Sequence, residues 1–212
     1  MSVKTTHVGS LPRTPELLAA NTQLAAGQIT EQQFQEILER ATAEVVTKQR
    51  EIGIDIVNEG EYGHQTSGAV DYGAWWNYSF SRLGGLTQTN EDRWADSSLI
   101  RSEPGKIRLT TFTDRRDRNL FREAYEDPDS GVLGKRNSVG NPVITAPLTY
   151  TGAEAARRDV NMLLKGLQAN GVDASSGFMA ALSPGSCARI KNQYYRSDEE
   201  VVWACADAMR QE

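Results

Sequence analysis

The chain has 212 residues, of which 39% are hydrophobic, enough for roughly one to one and a half ordinary domains with a buried core. Its net charge of −5 and its short, mixed basic runs argue against a nucleic-acid-binding surface. No stretch is apolar enough to span a membrane, and no signal-peptide pattern is visible at the N-terminus. The two cysteines, Cys187 and Cys205, have no metal-ligand spacing, so we expect reduced thiols in a cytoplasmic protein.

The first predicted element is a short strand over residues 3–8 that ends in a glycine turn. Gly9 permits close approach of another backbone, and the amides of Gly9 and Ser10 can hold an anion together with the Ser10 hydroxyl. An ordinary turn is the alternative interpretation of the same residues.

A long helix and a second strand follow. Thr30 and Gln33 have the spacing of a capping box, and Gly53 marks the end of the helix. A buried strand is predicted over residues 54–61, so residues 3–61 form a βαβ unit with parallel strands. The apolar stripe of the helix consists of Phe34, Ile37, Leu38, Ala41, Val45 and Val46.

Two carboxylates, Glu59 and Glu61, flank the glycine at the end of the second strand. Burying an unpaired carboxylate costs several kcal/mol, whereas the carboxyl end of a strand in an α/β sheet is where ligands usually bind. A solvated acidic turn is the alternative, but the glycine turn at Gly9, one βαβ unit upstream, favours a binding site.

Residues 62–150 differ in character and predict an insertion consisting of a loop, a short helix and a hairpin. In this hairpin residues 106–112 pair with residues 142–148. The aromatic residues Trp75 and Trp76 are interpreted as packing within the insertion. After it we predict a helix over residues 152–170 and a buried strand over residues 177–182 that ends in a polar turn.

A last helix is predicted to begin at Ser197, which has the spacing of a capping box with Glu200. Its apolar pattern continues to Glu212 without a stop signal. Because three βα units are present and a closed barrel has eight, we expect a fragment of a longer domain. The stripe of this helix is formed by Val201, Val202, Cys205, Ala208 and Met209.

Several short motifs resemble, in order and spacing, those of the cobalamin-independent methionine synthase family. They are THVGSLPR at 6–13, DIVNEGE at 55–61, RLGG at 82–85 and ALSPG at 181–185, with NQYY at 192–195 also fitting. The resemblance runs from Thr5 to Glu212. It implies a partial (β/α)₈ barrel in which residues 1–212 are the N-terminal part of one domain and residues 62–150 are an insertion.

The resemblance also implies zinc-dependent methyl transfer from a 5-methyltetrahydrofolate-type donor to the thiol of homocysteine, a step of methionine biosynthesis. Zinc would bind the thiol and lower its pKa. The backbone at Val8, Gly9 and Ser10 would hold the carboxylate of the amino acid, and Glu61 would hold its ammonium group. Because no separate folate-binding half precedes these motifs, the methyl donor stays open.

The family's zinc ligands would fall beyond Glu212, so we assign no metal ligand and no catalytic residue, and we expect this chain alone to be inactive. We interpret His7 and His64 as structural or solvated. Three alternatives stay open: alkyl transfer to another thiol such as coenzyme M, a non-catalytic module that forms a homo-oligomer through open strand edges, and an unrelated barrel such as a uroporphyrinogen decarboxylase relative. Glu61 favours an amino-acid thiol over coenzyme M.

Overall fold

The computed structural model describes residues 3–64, 78–89, 102–109, 116–127 and 141–212. The chain divides into two compact units, one formed by Met1–Tyr78 with Glu154–Ala181 and the other by Ser79–Ala153 with Leu182–Glu212. In chain order the elements are α1 (Pro15–Ala25), α2 (Glu31–Glu51), β1 (Leu83–Thr89), α3 (Arg116–Leu120), α4 (Arg122–Glu126), β2 (Asn141–Tyr150), α5 (Ala153–Ala169), α6 (Pro184–Cys187), β3 (Lys191–Asn192) and α7 (Asp198–Met209).

The helix predicted after Thr30 is confirmed as α2, and its capping box is complete. The Gln33 amide donates to the Thr30 hydroxyl at 3.2 Å, and the Thr30 amide donates to Gln33 Oε1 at 2.8 Å. Pairs of this kind satisfy backbone N–H groups that have no partner within the helix. The buried face of α2 packs against α1 and part of α5, in a cluster of Leu17, Ala20, Phe34, Leu38, Ala41, Val45, Tyr62 and Met162.

Helix α1 was not predicted, although its start signals are present in the sequence. Thr14 is its N-cap and accepts a hydrogen bond from the Leu17 amide at 3.2 Å, and Pro15 occupies the first turn, where it needs no N–H partner. The helix is held by Leu17 and Ala20, which are both buried.

The parallel pairing predicted for the first unit is confirmed, but the strands are much shorter than predicted. Thr6 pairs with Ile56 and Val57 pairs with Gly177, each as an isolated parallel bridge. Val57 has neighbours on both sides and is fully buried. The prediction of a buried strand over 177–182 is wrong, because these residues are half-buried or exposed and only Gly177 is bridged within the described part of the chain.

The predicted helix over 152–170 is confirmed as α5, although the face that it buries differs. The sequence pattern predicts one apolar face formed by Ala155, Ala156, Val160, Leu163, Leu164 and Leu167. In the structure Val160 and Leu164 are 44% and 40% exposed. Gly166 explains the rotation, since a Cβ built on it would lie 3.3 Å from Val46 Cγ2 on α2. The missing side chain allows close packing on this side, where the buried residues are Asp159, Met162, Leu163, Gly166 and Leu167.

The second unit contains a sheet with the order β1-β2-β3, in which β1 is antiparallel to β2 and β2 is parallel to β3. The hairpin predicted between 106–112 and 142–148 is therefore wrong, because β2 pairs with β1. The glycines at the start of β1 weaken its strand pattern. A side chain at Gly85 would lie 2.4 Å from the Pro147 carbonyl oxygen, so glycine is required where the register shifts. Residues 110–112 and both tryptophans at 75 and 76 lie outside the described residues.

The helix predicted to begin at Ser197 is confirmed as α7. Ser197 caps α7 by accepting from the Glu200 amide at 3.2 Å, but Glu200 accepts from the Arg196 amide, so only half of the capping box forms. The polar turn predicted at 183–186 is instead the start of α6, capped by Ser183. The buried face of α7 is formed by Val201, Cys205 and Ala208. Within the described ranges no helix is long and apolar enough to cross a membrane.

Replacement of Thr30 by alanine removes the hydroxyl that accepts from the Gln33 amide. We expect the free energy of unfolding of the first unit to fall by about 1 kcal/mol, as for other N-cap substitutions. Urea denaturation followed by circular dichroism measures it. Gln32→Ala, an exposed change in the same helical turn, is the matched control, and an equal effect of both substitutions would contradict the importance of the cap.

Candidate functional site

Two loops of the first unit, 8–13 and 58–64, lie against each other. The Leu11 amide donates to the Gly60 carbonyl at 3.0 Å, and the side-chain amide of Asn58 donates to the His7 carbonyl at 2.6 Å. The structure thus brings together the glycine turn after the first strand and the acidic turn after the second. Parallel strands predict this arrangement, since their carboxyl ends share one edge.

Asn58 and Gln49 are buried polar residues that hold the second loop in place. Gln49 on α2 donates to the Asn58 carbonyl at 2.7 Å and accepts from its amide at 3.2 Å. The Asn58 side chain in turn accepts from the Gly60 amide at 2.8 Å. Buried polar groups that satisfy one another in this way favour a single conformation of the loop.

Glu61, the predicted ammonium-binding residue, is contacted by residues from both loops. The Ser10 hydroxyl donates to Glu61 Oε2. The backbone of Glu61 is left-handed, with φ of 56°, a conformation that costs about 1 kcal/mol or more for a residue with a side chain. Such strain persists when surrounding contacts impose it, and it places the carboxylate beside Ser10.

Arg13 supplies one of these contacts, and its role was missed from the sequence. The residue is 4% exposed, and its guanidinium donates to the Glu61 carbonyl at 2.6 Å. It also lies 6.0 Å from the centre of the Tyr62 ring, whose hydroxyl donates to the Pro12 carbonyl at 2.8 Å. A single arginine near a turn is a weak signal in a sequence, because most arginines are solvated.

His64 also lies in this region, and its burial agrees with the structural alternative of its interpretation rather than with the solvated one. It is 6% exposed, its Nδ1 lies 3.7 Å from Glu61 Oε2, and its ring centre lies 4.0 Å from that of Tyr78. His7, by contrast, contacts the Gly9 carbonyl with its ring Nε2 at 3.1 Å.

The backbone at Val8, Gly9 and Ser10 is the predicted anion-binding turn. Gly9 has φ of 103°, and none of the three amides donates to an acceptor among the described residues. Successive free amides around such a turn attract carboxylate and phosphate groups. The Ser10 hydroxyl, predicted to join these amides in holding the anion, instead donates to Glu61.

Glu59 lies beside Glu61 but is much more deeply buried. It is 5% exposed, and its Oε2 atom has no hydrogen-bond donor within the described ranges. Burial, reinforced by the negative charges of Glu61 and Asp159, raises the pKa of Glu59 to about 7. Asp159 is equally buried but is paired with Arg158 at 2.9 Å, whereas Oε2 of Glu59 has no such partner among the described residues.

Zinc does not fit the residues that the structure describes. None of their histidine, cysteine, aspartate and glutamate side chains form a group of three or more suited to a metal ion. Cys187 and Cys205 are fully buried free thiols of the second unit. The Cys205 side chain and burial raise the pKa of Cys187, which keeps it a thiol, whereas zinc binds the thiolate.

Comparison with known proteins identifies the family of the chain. Residues 3–119, more than half of the chain, match the family described as the catalytic domain of cobalamin-independent synthase. The chain belongs to this family. The resemblance drawn from its motifs is thereby confirmed.

In two curated relatives, the part that aligns with this chain is a small share of the relative's length. The chain is 35% identical over 111 residues to the uncharacterised protein YxjH of Bacillus subtilis strain 168. This alignment covers 52% of the chain and 26% of YxjH. The chain is 31% identical over 156 residues to a 5-methyltetrahydropteroyltriglutamate–homocysteine methyltransferase of Bacillus cytotoxicus, covering 74% of this chain and 18% of the relative. The chain therefore spans about a quarter or less of these relatives.

A solved structure gives the fold. The B12-independent methionine synthase from Shewanella sp. W3-18-1, in complex with selenomethionine, matches with a TM-score of 0.53 and 16% identity. The match covers 98% of this chain and 46% of that one. The mixed α/β fold is thus similar to that of a methionine synthase.

The raised pKa of Glu59 predicts a pH-dependent stability. The folded state holds this proton more tightly than the unfolded state, so stability falls as the pH rises from 4.5 to about 7. We expect Glu59→Gln to become more stable than the wild type across this window, by about 3 kcal/mol in all. Urea denaturation between pH 4.5 and 8 measures the difference. Glu51→Gln, at an exposed position of α2, is the control, and a pH-independent difference for Glu59→Gln would contradict the burial argument.

Replacement of Gly60 by alanine tests the geometry of the second loop. Gly60 has φ of 70°, and a Cβ there would lie 3.1 Å from the Tyr62 ring. We expect a loss of about 2 kcal/mol or more in the free energy of unfolding, from backbone strain and crowding together. Gly53→Ala is the matched control, because Gly53 also has a positive φ but nothing lies within 4 Å of the added atom. Equal losses in thermal or urea unfolding would show that crowding by Tyr62 contributes nothing.

Proposed function

We propose that the chain is the N-terminal part of a methionine-synthase-like (β/α)₈ barrel and that its two loops bind the amino-acid end of homocysteine. The observation that carries the proposal is the contact of Ser10 with Glu61, which sets a carboxylate beside the unpaired amides of residues 8–10. An α-amino acid carries an anion and a cation on one carbon atom, and these two groups need adjacent partners of opposite charge.

The carboxylate of the ligand is assigned to the backbone at Val8, Gly9 and Ser10. These amides carry no formal charge, but three N–H groups around a left-handed glycine form an anion-binding turn. Because the amides belong to the backbone, their spacing depends on the path of the loop. Arg13 and Leu11 fix this path through their contacts with the second loop.

The ammonium group of the ligand is assigned to Glu61. Its Oε2 is engaged by the Ser10 hydroxyl, which orients the carboxylate without neutralising it. A charge-assisted hydrogen bond from an ammonium group is roughly twice as strong as a neutral one. Thiols that lack an amino group, such as coenzyme M, would leave Glu61 without its cation, so the structure supports an amino-acid thiol.

The barrel architecture is proposed from the parallel order of Thr6, Val57 and Gly177 and from the family, with residues 62–150 as an insertion after the second strand. In the complete protein we propose methyl transfer to homocysteine, within methionine biosynthesis, from a 5-methyltetrahydrofolate-type donor. Zinc, when bound, would supply a thiolate at neutral pH. No described residue of this chain is proposed as its ligand, so the role of these residues is to bind and orient the amino acid, and the chain alone should be inactive.

Calorimetry of the 212-residue chain with homocysteine and with 4-mercaptobutanoate, the same thiol without the amino group, tests the assignment. We expect the wild type to prefer homocysteine and Glu61→Gln to bind it about tenfold to a hundredfold more weakly, because a charge-assisted hydrogen bond is lost. Binding of 4-mercaptobutanoate should not change.

Glu51→Gln, at an exposed position of α2 distant in sequence from both loops, serves as the control for a change in net charge. If Glu61→Gln keeps the wild-type preference for homocysteine, the ammonium assignment is wrong. If the wild type itself shows no preference, the amino-acid site is rejected altogether.

A further inference from the structure

Glu59 is a buried carboxyl group of the candidate site to which the proposed function assigns no role. Its side chain is 5% exposed, and Oε2 is enclosed by protein without a hydrogen-bond donor among the described residues. A buried acceptor without a donor costs about 1–3 kcal/mol, and more when it is charged. Glu61, two residues further along the chain, is the residue assigned to the ammonium group. The acceptor without a donor therefore lies in the same loop as the predicted ammonium site.

We propose that Glu59 is a second acceptor for the ammonium group of the amino-acid ligand, beside Glu61. This inference rests on the proposed function and deepens it. An ammonium group has three N–H donors, and Glu61 with one free oxygen does not satisfy them all. Glu59 offers a further acceptor that no described protein group uses.

Charged side chains of both signs surround this loop. Asp159 on α5 approaches the loop closely, since a Cβ on Gly63 would lie 3.3 Å from its Oδ1, but its charge is balanced by Arg158. Arg13 on the first loop donates to the Glu61 backbone carbonyl.

Two further titratable side chains of this loop are described: His64, whose Nδ1 is 3.7 Å from Glu61 Oε2, and Tyr62, whose hydroxyl donates to the Pro12 carbonyl. Glu59 and Glu61 repel each other across Gly60. A ligand cation placed between the two carboxylates relieves this repulsion.

Binding of the cation should change the protonation of Glu59. With a pKa of about 7, this carboxyl group is roughly half protonated at pH 7 when no ligand is bound. An adjacent ammonium group favours the ionised form, so the proton leaves Glu59 for the solvent as the ligand binds. The ligand keeps its own three ammonium protons, and the net result is release of up to about half a proton per ligand.

The test is calorimetry at pH 7 in phosphate and in imidazole buffer, whose ionisation enthalpies differ, so that the heats reveal how many protons are released. For homocysteine we expect release of up to about half a proton from the wild type and none from Glu59→Gln, with affinity reduced about tenfold in the variant. The ligand 4-mercaptobutanoate should release no proton through Glu59 from either protein. Because 4-mercaptobutanoate carries the same thiol, subtracting the number of protons that it releases removes any contribution of the thiol. The control variant Glu51→Gln should behave as the wild type.

The outcomes separate the two proposals. If the wild type prefers homocysteine but Glu59→Gln retains the proton release and the affinity, the role of Glu59 is overturned while the proposed function stands. If the wild type binds neither ligand, or both equally, the proposed function fails and the role of Glu59 fails with it.

Should Glu59→Gln not fold, difference infrared spectra of the wild type provide the readout instead. We expect homocysteine, but not 4-mercaptobutanoate, to remove the band of a protonated carboxyl group. A band that is unchanged by homocysteine overturns the proposal.

Discussion

The buried guanidinium of Arg13 joins the two loops on which the candidate site depends. It donates to the carbonyl of Glu61, whose left-handed backbone would otherwise be unfavourable, and it lies near the Tyr62 ring. A charged group that is 4% exposed must be paired or hydrogen-bonded, so its contacts are obligatory rather than incidental. The placement of the Glu61 carboxylate beside Ser10 follows from this constraint.

The electrostatic balance of the site is the second feature that organises it. Glu59 and Glu61 lie in one loop, in which Glu61 accepts a hydrogen bond from the Ser10 hydroxyl. The nearby Asp159 is paired with Arg158. An arrangement that keeps an uncompensated carboxyl buried lowers stability near neutral pH. Proteins retain such groups at sites where a ligand supplies the opposite charge. Burial of Glu59 lowers the stability of the free protein, and in our proposal the ammonium group of the amino acid compensates this loss.

Much of the first unit could be predicted, because its signals are local. The capping box of Thr30 and Gln33, the apolar stripe of α2 and the parallel order of the strands depend on neighbouring residues and on general rules of connection. Other features depend on contacts distant in sequence. Close packing set three such features: the rotation of α5 around Gly166, the pairing of β1 with β2 through Gly85, and the burial of Val57 between two segments of the chain.

By itself the sequence determined the α/β class, the family and the pairing of a glycine turn with an acidic turn. Hydrophobic periodicity, helix caps and short motifs all depend on residues that are close together in the sequence. Only the tertiary structure decided which polar residues act together. Arg13 and His64 have no distinguishing pattern along the chain. Arg13 reaches Glu61 only when the two loops meet, and His64 approaches Glu61 through the turn of the second loop. The difference between the two glutamates was also decided by the tertiary structure. Glu59 is more deeply buried than Glu61, and burial is a property of the folded chain.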